Sequence, residues 1–287
     1  MQLDFYEIGT INEKELRFAV ISAVYQNKWV YVRHKERKTW EIPGGHRDLG
    51  EDIMKTAKRE LFEEPNLGKL NSGVKDKYSA WSFRHLVLGV VAIFFYVGVE
   101  VGIPGELNFY LTDDPMCGAA IGGAVAAIYW LLMMVGRACS TAISGKVSTK
   151  IQLSVVAVVA ILFVVVAIVL PQDIRVSMPG YSVAGGFSMF QVPLSALFLV
   201  LCGLCTSLMW GCIFNLSVEG LGKYTEQASG IFMMMVVGGG VMPLIQNAIG
   251  KSVGYMASYW IVVAMLLYIL FYALVGSKNV NTDIPVE

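Results

Sequence analysis

The sequence predicts a mostly α-helical membrane protein that is preceded by a smaller α/β segment. The 287 residues are 55% hydrophobic and only 15% charged, whereas a globular protein usually carries about 25% charged residues. Of the 22 lysines and arginines, 15 precede His85, so the formal net charge of zero conceals two parts that suit different solvents. With that balanced charge, no nucleic-acid partner is expected.

Long apolar runs recur after residue 85. A run of about 18 or more apolar residues can cross a hydrocarbon core of about 30 Å, and the run QLSVVAVVAILFVVVAIVL contains no charge at all. We predict six transmembrane helices near residues 86–111, 119–142, 152–170, 194–216, 228–249 and 256–276. The lysines and arginines of the short loops favour a multi-pass protein of the inner (cytoplasmic) membrane, in contact with lipid and with both termini in the cytoplasm.

The first 64 residues show the pattern of a soluble α/β fragment. Two runs rich in β-branched and aromatic residues, 18–25 and 28–34, flank Gln26-Asn27 and predict a hairpin. A loop is expected from Trp40 to Gly45, followed by a helix that starts at residue 51 or 52 and ends at residue 64. Residues 65–82 have the composition of a polar linker, and the six-helix domain is expected to occupy residues 83–287.

Polar side chains inside the spans are candidates for substrate binding, because polar groups at membrane depth are costly and often mark pathways. Amides supply donors and acceptors to sugar hydroxyls, and an aromatic ring stacks on the apolar face of a sugar. Hydrogen bonding between helices explains the same residues equally well. Besides Glu100, the candidates for substrate binding are Asn108, Trp210, Asn215, Gln246 and Asn247.

Glycines in the first two predicted spans indicate close helix packing. Gly98 and Gly102 are four residues apart, as are Gly118 and Gly122, and glycine lets helix backbones approach closely. The segment Gly102-Ile-Pro-Gly105 is expected to interrupt the first span, because proline removes a backbone hydrogen bond. Gly102, Pro104 and Gly105 are therefore candidates for a gating hinge, and ordinary helix packing is the alternative.

Five strings in the apolar part resemble the fucose/glucose–galactose proton symporter family of the major facilitator superfamily. They are FFYVGVEVGIPGELNFYLTD, AAIYWLLMMVGR, ISGKVSTK, SALFLVLCGLCTSLMWGCIFNLSVEGLGKYTEQASG and MMMVVGGGVMPLIQ. The resemblance runs from about Lys75 to the end and corresponds to helices seven to twelve of twelve. Residues 136–146 resemble the cytoplasmic turn between helices eight and nine.

This resemblance implies a sugar and a proton as substrates and also defines what is missing. In such transporters two six-helix halves rock around a central site, and the proton-carrying acidic residues are expected in the first half. Transport by this chain alone is therefore not expected. A second copy of the chain or a complementary transporter half would be the partner.

A second resemblance, to the MutT-like Nudix hydrolases, lies in the soluble segment. The residues that match the signature at the required spacing are Gly45, Glu51, Arg59, Glu60, Leu61, Glu63, Glu64 and Leu67, whereas Asn66 replaces the final glycine. Glu60, Glu63 and Glu64 share one helix face and could hold Mg²⁺, which prefers oxygen ligands. A solvated acidic face is the alternative.

The Nudix resemblance implies hydrolysis of a nucleoside diphosphate linked to another group. Glu60, Glu63 and Glu64 would be the catalytic carboxylates, the Gly44 carbonyl would add a metal ligand, and Glu51 would pair with Arg59. The fragment has about half the length such a domain needs, and so short a piece supports only a marginal core. We therefore expect weak or no hydrolysis, and whether the chain is an enzyme stays open.

The sequence alone leaves three interpretations open. The chain is an incomplete proton-coupled transporter of hexose or fucose, an incomplete Mg²⁺-dependent Nudix hydrolase, or a non-functional fusion of two gene fragments. The transporter is favoured for the function because it accounts for most of the chain.

Overall fold

A computed structural model of the chain describes residues 15–22, 24–25, 28–29, 31, 42, 44–48, 50–63, 78–143, 145–182, 185–281, 283–284 and 286. The chain divides into two compact units, Met1–Lys77 and Tyr78–Glu287, and each is described by itself.

The described residues of the first unit form four short strands and one α-helix. The strands are β1 (Phe18–Val20), β2 (Val24–Tyr25), β3 (Lys28–Trp29) and β4 (Gly44–His46). Strands β2 and β3 pair antiparallel with Val24 opposite Trp29, as the predicted hairpin requires. The loop prediction was wrong for Gly44 and Gly45, since β4 pairs antiparallel with β1 and Gly44 lies opposite Val20.

Glycine is required at the first residue of β4 because the two strands lie very close. A Cβ at Gly44 would lie 2.6 Å from the Ala19 carbonyl oxygen. Helix α1 (Ile53–Glu63) follows. The carboxylate of Asp52 caps it by accepting from the backbone N–H of Met54 at 2.7 Å, the usual role of aspartate at a helix start.

In the described part of the second unit, seven α-helices make up six segments that could span a membrane. They are α2 (Arg84–Thr112), α3 (Gly118–Ile143), α4 (Thr149–Val169), α5 (Leu194–Val218), α6 (Thr225–Met234), α7 (Gly238–Val253) and α8 (Tyr255–Phe271). Six segments are long and apolar enough to cross a membrane, which confirms the six predicted spans. The fifth segment combines α6, a 3₁₀ turn over Met235–Val237, and α7.

Helix α2 is the centre of this unit and packs against α3, α5, α7 and α8, whereas α4 packs against α5 and α8. Buried hydrogen bonds link neighbouring helices, among them two between hydroxyl groups. Tyr129 of α3 and Thr206 of α5 join their hydroxyls at 2.9 Å, and Ser217 of α5 joins Tyr272, directly after α8, at 2.6 Å. These bonds satisfy hydroxyl groups that would otherwise be costly inside an apolar bundle.

A ladder of close contacts joins α2 to α7, and we call it the glycine ladder. Its four levels are Phe94 with Gly238, Gly98 with Met242, Gly102 with Gln246, and Glu106 with Gly250. Each level is four residues after the previous one on both helices, so the helices run parallel and in register. Every level contains a glycine, which allows backbones to approach closely. The predicted role of Gly98 and Gly102 in close packing is thus confirmed, with α7 as the partner.

A β-hairpin lies between α4 and α5, where the sequence analysis assigned no structure. Strands β5 (Arg175–Ser182) and β6 (Gly186–Pro193) pair antiparallel. At its base, the two Nη atoms of Arg175 donate to the Asp114 carboxylate at 2.7 and 3.1 Å. The first strand packs along α3, where a Cβ at Gly180 would lie 3.1 Å from the Ala124 backbone.

Candidate functional site

An ion pair joins α2 to α3. Arg137 Nη2 lies 3.3 Å from Glu100 Oε1, and the exposed fractions of the two side chains are 59% and 14%. One turn before Glu100 on α2, the Tyr96 ring meets the edge of the Trp210 ring of α5, with centroids 6.0 Å apart. Trp210, a predicted substrate-binding residue, is half-buried and in contact with Tyr96.

A second polar group, the Glu106 cluster, consists of Glu106, Asn247 and Ser258. Asn247 Nδ2 donates to Glu106 Oε2 at 3.4 Å, and Ser258 Oγ donates to Glu106 Oε1, also at 3.4 Å. Glu106 is only 3% exposed. Sequence reasoning named Asn247 but missed Glu106. The spacing of Glu106 could have revealed it, because an acidic residue four positions after Gly102 lies on the same face of the helix as that glycine.

Gln246 is buried between α2 and α7, one turn before Gly250. Its exposed fraction is 0%, and neither Oε1 nor Nε2 has a hydrogen-bond partner in the described part of the chain. A Cβ added at Gly102 would lie 2.5 Å from Gln246 Oε1. Gln246 is therefore closed off from any cavity in this conformation, although its amide retains its full hydrogen-bonding capacity.

The other two predicted amides lie apart from the Glu106 cluster. Asn108 is half-buried and packs against Gly122 of α3, while Asn215 is exposed on α5. The structure thus brings Gln246 and Asn247 to one helix interface and leaves Asn108, Trp210 and Asn215 at separate places. It does not gather the five candidates into one pocket.

The proposed hinge segment lies within a continuous helix. Helix α2 runs from Arg84 to Thr112 with Pro104 inside it, so the expected interruption of the first span is absent. Gly102 and Pro104 are buried, whereas a Cβ at Gly105 would meet nothing within 4 Å. Irregular stretches lie instead in the fifth span, at the 3₁₀ turn Met235–Val237, and at the end of the sixth, at the π-helical turn Tyr272–Gly276.

A cavity of about 340 Å³ lies where the hairpin meets α3. Almost all of its lining is apolar, and a sugar would find few hydrogen-bond partners there. It is lined by Ala127, Ile128, Trp130, Leu131, Met134, Tyr181 and Phe187.

In the N-terminal unit, Arg59 of α1 holds the loop before the helix. Arg59 Nε and Nη2 donate to the two carboxylate oxygens of Glu51 at 3.2 and 3.1 Å, and Nη2 also donates to the His46 carbonyl at 3.0 Å. The Glu51–Arg59 pair implied by the Nudix resemblance is therefore present. The hydrogen bond from Arg59 lowers the pKa of Glu51 to about 2, and the same bond raises the pKa of Arg59.

Glu60, the first of the three candidate catalytic carboxylates, faces β4. A Cβ added at Gly45 would collide with the Glu60 carboxylate. The Oε1 atom of Glu60 lies 2.7 Å from Arg59 Nη1. The signature glycine is therefore needed to make room for the glutamate.

The described residues contain only part of the candidate Mg²⁺ site. Of the candidate metal ligands, Gly44 and Glu60 are described, whereas the side chain of Glu63 and the whole of Glu64 lie outside the described residues. Within the described ranges no group of three acidic, histidine or cysteine side chains is placed to hold a metal ion.

Comparison with known proteins relates the C-terminal region to sugar transporters. The chain is 33% identical over 223 residues to the glucose/galactose transporter of Brucella abortus biovar 1 (strain 9-941), covering 76% of this chain and 49% of that protein. It is 30% identical over 224 residues to a putative glucose/galactose transporter of Helicobacter pylori (strain J99), covering 76% of this chain and 50% of that protein. The chain thus spans about half the length of the curated relatives it matches.

Among solved structures, the Major Facilitator Superfamily transporter FucP in the outward conformation aligns with a TM-score of 0.57 and 20% identity. The alignment covers 78% of this chain and 47% of FucP. The membrane unit has the major facilitator fold.

The N-terminal match is to the NUDIX domain, over residues 15–105. It contains the described part of the signature, from Gly45 to Glu63, and continues as far as Gly105 of α2. In the structure, residues 84–105 belong to the central helix of the membrane unit. The chain therefore combines a segment that matches the NUDIX domain with a membrane unit that is similar to half of a glucose/galactose transporter.

Proposed function

We propose that the membrane unit is half of a proton-coupled hexose or fucose transporter. The observation that carries the proposal is the 33% identity over 223 residues to a protein named glucose/galactose transporter. That relative is about twice as long as the matched region, and major facilitator transporters work as two halves around a central site. The chain would therefore act with a complementary half or with a second copy of itself.

The sugar would meet this half along α2, α5 and α7. Trp210 offers an aromatic ring in contact with Tyr96, which lies one turn before Glu100 of the Glu100–Arg137 pair, and a ring with nearby polar groups suits a sugar. Asn108, Asn215 and Asn247 would contribute amides from α2, α5 and α7. Gln246 would join them only after α2 and α7 separate, because it is fully buried between them.

Movement of the half would involve two segments. Gly102, Pro104 and Gly105 remain the proposed hinge of α2, since proline weakens a helix without necessarily breaking it. The second segment is the 3₁₀ turn at Met235–Val237 in the fifth span, which resembles the breaks found in discontinuous transporter helices. The loop charges support an inner-membrane location with both termini in the cytoplasm.

Sugar binding by the purified full chain tests this proposal. Intrinsic tryptophan fluorescence is recorded during titration with glucose, galactose and fucose, in the wild type and in Trp210→Phe. Trp260→Phe is the matched control, because Trp260 lies exposed on α8. We expect a saturable signal that Trp210→Phe abolishes and Trp260→Phe preserves. A saturable signal unaffected by Trp210→Phe would show that Trp210 does not contact the sugar. The absence of saturable binding for every sugar would contradict the proposal.

The N-terminal unit supports a second candidate function, Mg²⁺-dependent hydrolysis of nucleoside diphosphate-linked substrates. The observation that favours it is the arrangement of Arg59 between Glu51 and Glu60, with Gly45 making room for the Glu60 carboxylate. The carbonyl of Gly44 and the carboxylates of Glu60, Glu63 and Glu64 are the proposed ligands and catalytic groups.

Hydrolysis by the purified chain with and without added Mg²⁺ tests the second candidate. We expect activity no higher than that of Glu60→Gln, since the segment is short for a Nudix fold. Glu15→Gln serves as a control, because Glu15 is an exposed carboxylate outside the signature. Mg²⁺-dependent turnover that is lost in Glu60→Gln and kept in Glu15→Gln would establish the hydrolase instead.

A further inference from the structure

Glu106 is a buried carboxylate without a cationic partner. It is 3% exposed and lies where α2, α7 and α8 meet, against the backbone of Gly250. Within the described residues no lysine, arginine or histidine forms an ion pair with it. The other acidic residue in the middle of α2, Glu100, is different, because it pairs with Arg137 at 3.3 Å.

The neighbours of Glu106 cannot stabilise a full negative charge. Its two oxygens accept only long, neutral hydrogen bonds of 3.4 Å, one from Asn247 and one from Ser258. An ionised carboxylate buried without a charged partner costs several kcal/mol, and the cost is at least as severe at membrane depth.

The titratable groups on the facing helices are already engaged or lie too far away. On α8, the Tyr259 hydroxyl donates to the Ile103 carbonyl at 2.9 Å, and the Tyr255 hydroxyl donates to the Asp113 carboxylate, also at 2.9 Å. On α7, Lys251 is exposed and interacts with Glu106 only through long-range electrostatics. None of the three supplies a proton or a contact charge to the carboxylate.

We propose that Glu106 is a proton-binding site of the membrane unit, protonated at neutral pH while α2, α7 and α8 are in contact. The bound proton removes the buried charge and lets the glycine ladder close around the side chain. Release of the proton to water leaves a carboxylate that the closed interface cannot hold, so the three helices must loosen or Lys251 must approach. Proton occupancy and helix contact at this point are therefore linked.

This site lies within the half that the chain contains, whereas the family resemblance implies proton carriers in the other half. It requires neither a sugar nor the complementary half. Its test contains no sugar, so failure of the proposed transport function and failure of the proton site would be seen separately.

Infrared spectroscopy of the purified full chain, in a detergent without carbonyl groups, tests the site directly. At neutral pH we expect the C=O stretching band of one protonated carboxylic acid, which shifts in D₂O and disappears at alkaline pH. The band should be absent from Glu106→Gln and present in Glu100→Gln. The second variant is the matched control, because Glu100 lies on the same helix but is ion-paired.

Stability gives an independent readout. If the folded chain binds one proton that the unfolded chain has lost, the folded-to-unfolded ratio falls about tenfold per pH unit across that range. Thermal unfolding should therefore shift to lower temperature as the pH rises in the wild type and in Glu100→Gln, and this dependence should be weaker in Glu106→Gln. Should Glu106→Gln fail to fold, Glu106→Asp replaces it and should keep a band at an altered frequency.

A wild-type chain that shows no protonated-carboxyl band at neutral pH overturns the proposal, whatever the variants do. A band that persists unchanged in a folded Glu106→Gln protein overturns it as well, because another carboxyl group would then carry the proton.

Discussion

The Glu51–Arg59 pair shows how far single residues can be predicted in this chain. The spacing of the Nudix signature put Glu51 and Arg59 eight positions apart, and the structure joins them through two hydrogen bonds. Glu106 was not predicted, although it lies in the same span as Glu100. Its importance comes from what α7 and α8 place around it, and a single sequence does not reveal which helices become neighbours.

The titration of Glu51 is a prediction at this scale. Arg59 holds the pKa of Glu51 at about 2, below its ordinary value of 4.5. The pair therefore stabilises the folded segment at any pH above 4.5, and this contribution is lost as the pH falls from there towards 2. With ¹³C-labelled glutamate, NMR of the full chain should show one resonance that titrates near pH 2.

That resonance should disappear in Glu51→Gln and titrate nearer 4.5 in Arg59→Met. As a control, Arg17→Met should leave it unchanged, because Arg17 lies outside the pair. A Glu51 resonance that titrates at its ordinary pH in the wild type would show that the pair does not persist in solution.

At the scale of elements, the glycine ladder determines how α2 meets α7. Hydropathy predicted both helices, and the spacing of Gly98 and Gly102 predicted close packing by α2. The partner helix and its register could not be predicted, because they depend on which residue fits opposite each glycine. The β5–β6 hairpin was missed for a related reason, since its residues alternate too irregularly to give a strand pattern and it is held by contacts with α3.

Two neighbouring glycines of α7 give a sharp test of the ladder. A Cβ at Gly238 would collide with the Phe94 carbonyl, whereas a Cβ at Gly240 would meet nothing within 4 Å. We expect Gly238→Ala to reduce the free energy of unfolding by about 1–3 kcal/mol through overpacking. Gly240→Ala should increase it by about 0.5–1 kcal/mol, because alanine favours the helix. Denaturation in detergent measures both, and equal effects of the two substitutions would argue against the ladder.

The anchor of the β5–β6 hairpin gives a second test at this scale. Burial is the largest single influence on the pKa of Asp114 and would raise it, but the hydrogen bonds from Arg175, the Met116 N–H and Cys117, together with the charge of Arg175, lower that pKa overall. Asp114→Asn leaves the half-buried Arg175 without its counter-charge and should cost on the order of 1.5–3 kcal/mol.

Thermal unfolding and proteolysis of the hairpin at neutral pH measure the loss. Asp173→Asn is the control and should change little, because Asp173 is exposed and lies two residues before Arg175. Equal protease sensitivity of the two variants would show that the ion pair does not anchor the hairpin.

At the scale of the whole molecule, hydropathy predicted the six spans because membrane insertion depends mainly on local composition. The arrangement of polar residues was less predictable. Of the five candidates chosen by residue type, only Gln246 and Asn247 share a helix interface, since side-chain chemistry does not reveal which face of a helix points inward. The proposed sugar site would be harder still to predict from this sequence, because it would be shared by two halves and its other wall would come from the half that this chain does not match.

Transport should therefore depend on a complementary half. We expect that proteoliposomes containing the chain alone do not concentrate labelled galactose under an inward proton gradient. Co-reconstitution with the first six helices of a glucose/galactose transporter relative should restore uptake, because alternating access requires two halves that move against each other. Trp210→Phe should reduce the restored uptake, and Trp260→Phe should not. Concentrative uptake by the chain alone would contradict this expectation and would indicate that two copies form the transporter.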